Sequence, residues 1–481
     1  MSLFGMLSIA GQSLLSTQRG INTVNKNISN VATEGYNREI AVFQDIPRGG
    51  VFVNKVLRVF DQFLFTRQIN LGQSLNSDKA YSDVLSSIES IFNDINGTGF
   101  SQDLNQFFNS INDMLINPND LSARQQFLGN AQTLIGKIRN SYQSLQDLKQ
   151  QITLKIRDQI NQINQITDQI AKLNNNIKTK VIDVEANSEY LNERDRLISK
   201  LSNLIDTKVV YNTDNTVNIY TAKGFGLVVG TQQTQLNFET DSNGNPVIKW
   251  NNTNDITKDI KNGELGGNLK GINDINTQIN NLNDFTTVFA TVFNKIHRQG
   301  YNLGGTTNLD FFKIDPSSSL NKIDASNIYL NITDPKDVAL AKDPNYLNSD
   351  NTNGKALLNL KNSISNVLTP SEESSLISSL NDYNGTDSAN YNLIKSRGFF
   401  EFYNSKLVAE ISSKSSTIKT QKANIQALYD AVTEKMKSLS GVNLDEELIN
   451  LTKLQRAYQA NARIITVADE LFQTILNMAG K

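Results

Sequence analysis

The chain has 481 residues, enough for two to four domains, and 38% of them are apolar, a share that suits long, half-exposed helices better than one thick core. Its 46 Lys and Arg nearly balance its 48 Asp and Glu, for a net charge of -2, which gives nucleic-acid phosphates no basic face to meet. There is no cysteine and a single histidine, His297. That removes disulfides, thiolate metal sites and cysteine nucleophiles, and leaves a catalytic histidine or a zinc site without partners.

Residues 2–30 read as an amphipathic helix. Leu3, Leu7, Ala10, Leu14, Thr17, Ile21, Val24, Ile28 and Val31 recur in alternating three- and four-residue steps. Only Arg19 and Lys26 are basic in this stretch, which argues against a membrane-surface helix. No run of 18 apolar residues suggests a membrane span. The first residues carry neither a basic n-region nor a small-residue cleavage site, so no cleaved secretory signal is expected. Residues 31–37 break the helix with Asn and Gly. Two alternating segments, 38–45 and 51–59, flank Pro47, Gly49 and Gly50 and predict a β-hairpin.

Asp61 is placed to cap a helix that begins at Gln62. Helical patterning continues through Leu104, Phe107, Phe108, Ile111 and Leu115 until Pro118. From 122 to 205 a long helix carries Ile152, Ile156, Ile163, Ile166, Ile170, Leu173 and Ile177, with Gln159 out of place. That suits an antiparallel bundle, and the stripe alone equally allows a dimeric coiled coil. The period changes near 207. Alternation around Asp214-Asn215 and around Asn243-Gly244 predicts two further hairpins. The stretch "DSNGN" lacks the spacing of a calcium loop, and "GELGGNLKG" lacks the Gly-Lys-Ser/Thr of a phosphate loop. A helix is expected over 272–298, with His297 as a residue at its end. Residues 302–395 predict an inserted domain containing β-structure, and helix is expected again over 396–438.

The last segment repeats the pattern of the first. Asn443 is a candidate N-cap with Glu446 three residues on, a capping-box arrangement. Asp445, Glu446 and Glu447 lie where the helix dipole favours acids, which accounts for them without catalysis. Leu451, Leu454, Tyr458, Ile465, Ala468, Phe472, Ile475 and Ala479 then form a second stripe, interrupted by Asn461, a polar residue of the kind that fixes register. An isolated helix is marginally stable, so each terminal helix needs a cover. The other is the candidate. The ends are expected to be disordered in a monomer and ordered in an assembly.

The segment "NISNVATEGYNRE" resembles the N-terminal motif of the axial proteins of the bacterial flagellum, a group of rod, hook and hook-associated proteins. The resemblance is carried by Asn27, Ile28, Asn30, Val31, Thr33, Gly35, Tyr36 and Arg38. "LQRAYQANARIITVADELFQTIL" resembles that group's C-terminal motif through Gln455, Arg456, Ala457, Tyr458, Ala460 and Asn461. Within the group, "GGVFVNKVLRVFDQFLFTRQ" and "FFNSINDMLINPNDLSARQQFL" are similar to the hook-associated proteins of the hook–filament junction. Glu34 stands where that group usually has proline, and Asn37 where it has serine.

The resemblance implies a structural, non-enzymatic protein exported through the flagellar type III system. It implies polymerisation as a helical layer on the hook protein, a second junction protein above, and an export chaperone on the C-terminal helix before export. It implies no cofactor and no metal. The expected location is the extracellular flagellum, after a transient cytoplasmic stage. Tyr36 and Arg38 would pack and pair at an elbow between the N-terminal helix and the next domain.

The expected fold is mainly α with β insertions: paired terminal helices in a coiled-coil rod, a long helical bundle and a small β-rich outer domain. The corresponding segments are 1–37 with 443–481 for the rod, 38–301 with 396–442 for the bundle, and 302–395 for the outer domain. The expected assembly interface is Leu3, Leu7, Leu14, Ile21, Val24, Ile28, Val31, Leu451, Leu454, Tyr458, Asn461, Ile465, Phe472 and Ile475. Competing readings are another axial protein of hook or rod type, an enzyme on a helical stalk, and a cytoplasmic coiled-coil adaptor. The acids of 300–400 are scattered in turn contexts and form no catalytic constellation.

Overall fold

The computed structural model describes residues 3–33, 35–45, 50–92, 99–179, 184–380 and 387–479. The turn residues Pro47 and Gly49, and Glu34 in the N-terminal motif, lie outside these. The chain opens with α1 (Leu3–Ser29), followed by the antiparallel hairpin β1 (Glu39–Asp45) and β2 (Val51–Arg58). Ile40 pairs with Leu57, and a bulge falls between Val42 and Phe43. Asp61 then caps α2 (Gln62–Ile91) by accepting a hydrogen bond from Leu64 N. Next come α3 (Phe100–Ile116), α4 (Leu121–Thr179) and α5 (Val184–Leu204). The 59 residues of α4 span about 90 Å at 1.5 Å per residue.

Two small antiparallel sheets follow. One has the order β3 (Thr207–Tyr211), β4 (Val217–Thr221), β5 (Gly226–Val229), β6 (Gln232–Gln233). The other has the order β7 (Leu236–Thr240), β8 (Pro246–Trp250), β9 (Asn254–Asp255). Turn chemistry sets both main hairpins. Asp214 accepts from Thr216 N with Asn215 at φ 62°, and Asp241 accepts from Asn243 N and Asn245 N ahead of Gly244 at φ 73°.

Helix α6 runs from Gly263 to His297, nine residues earlier than the expected start at 272. The glycine-dense stretch is helical because it is packed, not because glycine favours helix. A Cβ on Gly267 would lie 2.2 Å from Ser77 O, and one on Gly271 2.7 Å from Val84 Cγ1. The glycines let α6 approach α2 more closely than any side chain would permit. Gln159 likewise belongs to the buried face of α4. Its Nε2 donates to Glu264 Oε2 at 3.0 Å, and its Oε1 accepts from Asn268 at 3.1 Å. Its polarity is matched by polar groups on α6 rather than misplaced.

Residues 302–395 contain one ribbon of three-residue strands, β10 (Phe312–Ile314) and β11 (Ile328–Leu330), with α7 (Thr352–Asn359), α8 (Pro370–Ser379) and the start of α9 (Asp387–Phe402). Most strands lie in 207–255, where hairpins were expected, and residues 302–395 contain β-structure as expected, confined among the described residues to this ribbon. Short apolar runs between Asn and Ser mark loops and helix ends here. A π-helical turn over Tyr403–Ala409 joins α9, itself interrupted at Gly398, to α10 (Glu410–Ser440). The final element is α11 (Leu444–Ala479).

One hydrophobic cluster runs from Phe65 to Ile411. At its centre Phe107, Phe285, Phe289, Phe293, Phe311 and Phe312 pack ring on ring with centroids 4.8–6.5 Å apart. Segment 302–395 contributes Phe311, Ile328, Leu340, Leu357 and Ile364 to this same core. The buried residues of α1 and α11, such as Ala10, Val24 and Ala468, stand apart from it.

Candidate functional site

The two chain ends lie side by side and antiparallel. Phe4 meets Phe472 edge to face at 5.9 Å, and Asn27 reaches Glu447. The face of α1 that is buried is small and polar: Ala10, Ser13, Ser16, Thr17, Gly20, Thr23, Val24 and Asn27. This differs from the expected apolar stripe. Leu3, Leu7, Leu14, Ile21 and Ile28 are half-buried, Val31 is exposed, and of the stripe's large residues only Val24 is buried. The cause is β2, which lies along α1. Ser13 Oγ and Ser16 Oγ accept from Val51 N and Val53 N at 3.5 and 3.3 Å, so hydroxyls satisfy an otherwise bare strand edge. The signal was present as small residues at helical spacing, and apolar periodicity did not register it.

On α11, Leu451, Leu454, Tyr458, Asn461, Ile465 and Phe472 are half-buried, Ala468 is buried, and Ile475 is 54% exposed. The motif residues Gln455, Arg456 and Ala457 face outward. Also exposed are Ile464, Val467, Leu471 and Met478, which share a second apolar face that no other element covers among the described residues, while Leu448 and Leu476 are exposed on other sides of the helix.

The N-terminal motif forms the elbow. Asn27 is 1% exposed and fully satisfied. Its Oδ1 accepts from Glu39 N and Tyr36 Oη at 2.9 Å each, and its Nδ2 donates to Glu39 O at 2.9 Å and to Glu447 Oε2 at 3.1 Å. Asn30 donates to Lys26 O and accepts from Thr33. Gly35 turns the chain at φ 78°, a left-handed angle that strains other residues. Arg38 donates to Glu446 Oε2 at 2.9 Å, and its Nε lies 3.4 Å from Glu447 Oε1. Lys26 pairs with Glu39 at 3.0 Å. Burial, with Glu39, Glu447 and Glu189 nearby, holds the Tyr36 phenol well above its usual pKa. Asn443 caps α11 by accepting from Asp445 N. Glu446, expected to close the capping box, reaches Arg38 instead, because the cation offers a stronger partner than a backbone N–H.

Among the described residues no group of three or more His, Asp or Glu stands close enough to hold a metal ion, and no helix is long and apolar enough to cross a membrane. His297 ends α6 as a fully buried residue. Ala339 N donates to its Nε2 at 3.1 Å, so Nδ1 carries the proton and bonds Leu309 O at 2.7 Å. Burial brings its pKa down to about 4.

Two family models match the chain. Residues 85–312 match the helical domain of the flagellar hook-associated protein FlgK, and residues 436–478 match the C-terminal region of the flagellar basal body rod proteins FlgEFG. A helical middle shared with one and an end shared with the other define an axial protein of the bacterial flagellum. Flagellar hook-associated protein 1 of Escherichia coli is 26% identical, covering 98% of this chain and 99% of its own. That of Bacillus subtilis is 24% identical over 100% and 99%. The solved flagellar hook junction protein FlgK of Burkholderia pseudomallei shares the fold, with a TM-score of 0.58 at 16% identity over 76% of this chain and 100% of that one. Over nearly its whole length the chain is thus similar to flagellar hook-associated protein 1 of these bacteria.

Proposed function

We propose that the chain is a structural junction protein of the bacterial flagellum, polymerising at the tip of the hook and connecting hook to filament through a second junction protein. The observation that carries this is likeness to hook-associated protein 1 from end to end, 98% of this chain against 99% of the Escherichia coli relative. A hook- or rod-type protein is the weaker reading, because residues 85–312 follow the hook-associated helical domain.

Copies of the chain form a helical layer through the paired ends, on the hook protein below. An export chaperone covers the C-terminal helix in the cytoplasm until type III export carries the chain to the extracellular flagellum. The uncovered face of α11 supports this, since Ile464, Val467, Leu471 and Met478 need a partner away from water. The role is structural rather than enzymatic.

Deleting the gene and viewing cells by electron microscopy tests the reading. Hooks without filaments are expected, with flagellin shed into the medium and filaments restored by the gene on a plasmid. Normal filaments in the deletion strain reject it.

A further inference from the structure

We infer that Glu447 is the positioning residue that receives the N-terminal motif and fixes the direction of the paired rods relative to the bundle. The inference rests on the junction reading and deepens it. An acid in the first turn of a helix is ordinarily accounted for by the helix dipole, and stays in water. Glu447 does not: it is 2% exposed, as is Glu39 across the elbow. A buried carboxylate is unfavourable unless it is both paired and hydrogen-bonded, and Glu447 is both, through Arg38 Nε at 3.4 Å and Asn27 Nδ2 at 3.1 Å. Arg38 N also donates to Ser440 O at 2.8 Å, which ties the start of the hairpin to the turn before α11.

The same segment is gripped from the opposite side by α5, which shares the bundle core through Leu197 and Leu201. Asn192 Oδ1 accepts from Asn37 Nδ2 and from Arg58 Nη1 at 3.1 Å each, and Asp195 Oδ2 lies 2.7 Å from Arg58 Nη1. Residues 36–39 therefore sit between a rod helix and a bundle helix. Releasing the grip of α11 leaves ties across Gly35 such as the ion pair of Lys26 with Glu189 and the bonds of Asn27 to Glu39.

Charge exchange separates this role from simple capping. In the deletion strain, Arg38→Glu and Glu447→Arg each reduce the fraction of hooks bearing filaments at least fivefold, with secreted protein within twofold of the parent. The double exchange regains at least half of the parental fraction. If Glu447 serves only the helix dipole, an arginine in the first turn harms the pair as much as it harms the single variant. Glu447→Gln, which keeps the size and an acceptor for Asn27, gives a smaller loss and decides the matter if a reversal variant fails to melt cooperatively. Parental filament counts in Glu447→Gln and the reversal variants, or a double exchange no better than its worse parent, overturn the inference. Failure of the parental gene to restore filaments instead overturns the junction reading, and with it what rests on that reading.

Discussion

His297 is held neutral, and this ties the stability of the molecule to pH. Its pKa of about 4 in the folded chain lies below the ordinary value of 6.5, so the unfolded chain takes up the proton first. Stability is full above pH 6.5 and falls as pH drops toward 4. Between pH 6.5 and 5 this one residue costs about 2 kcal/mol, and no second histidine blurs the slope. Urea unfolding at pH 7, 6 and 5 measures it, and His297→Gln should flatten the dependence in that window. The position of His297 at a helix end was legible in the sequence. Its partners were not, because Leu309 and Ala339 lie in loops with no period to read. Asn27 was singled out by motif alone, and its four bonds join segments that no local pattern connects.

At the scale of elements, the contact of α2 with α6 is set by glycine. Gly267→Ala drives a methyl into Ser77 O and is expected to destabilise the chain by about 3 kcal/mol, typical of severe overpacking. Gly129→Ala and Gly136→Ala on α4, where nothing lies within 4 Å, should instead stabilise by about 0.5–1 kcal/mol each. Thermal melting of the three variants checks both signs. The start of α6 was misread because glycine is a poor helix former in isolation, and only the neighbouring backbone reveals why it is there. The hairpins of 207–250 and the cap at Asp61 were legible, since turn and cap chemistry is local. The β-structure expected in 302–395 is present as a ribbon of three-residue strands, which could not be located in the sequence because they owe their place to the phenylalanine core.

The whole molecule consists of a bundle closed around that core and a pair of rods closed on only one side. Substituting Val467→Asp together with Leu471→Asp on the uncovered face of α11 should leave the melting of the bundle within about 0.5 kcal/mol of the parent, yet abolish filament attachment. Secretion assays and filament counts on the same strain separate the two effects. The pairing of the ends was readable from matching stripes at both termini. Which faces meet was not, because β2 claims a side of α1 that periodicity assigned to no element.

Asn27 and Glu447 are 420 positions apart. Contacts between such distant positions carry a large loop-closure cost unless the intervening chain has already folded, and so they belong to the end of the folding sequence rather than its beginning. A fragment that stops before residue 440 keeps the contacts of its amino-terminal segment with α5 but lacks Glu446 and Glu447. The contacts of Asn27 and Arg38 with α11 therefore close only once the last forty residues are in place.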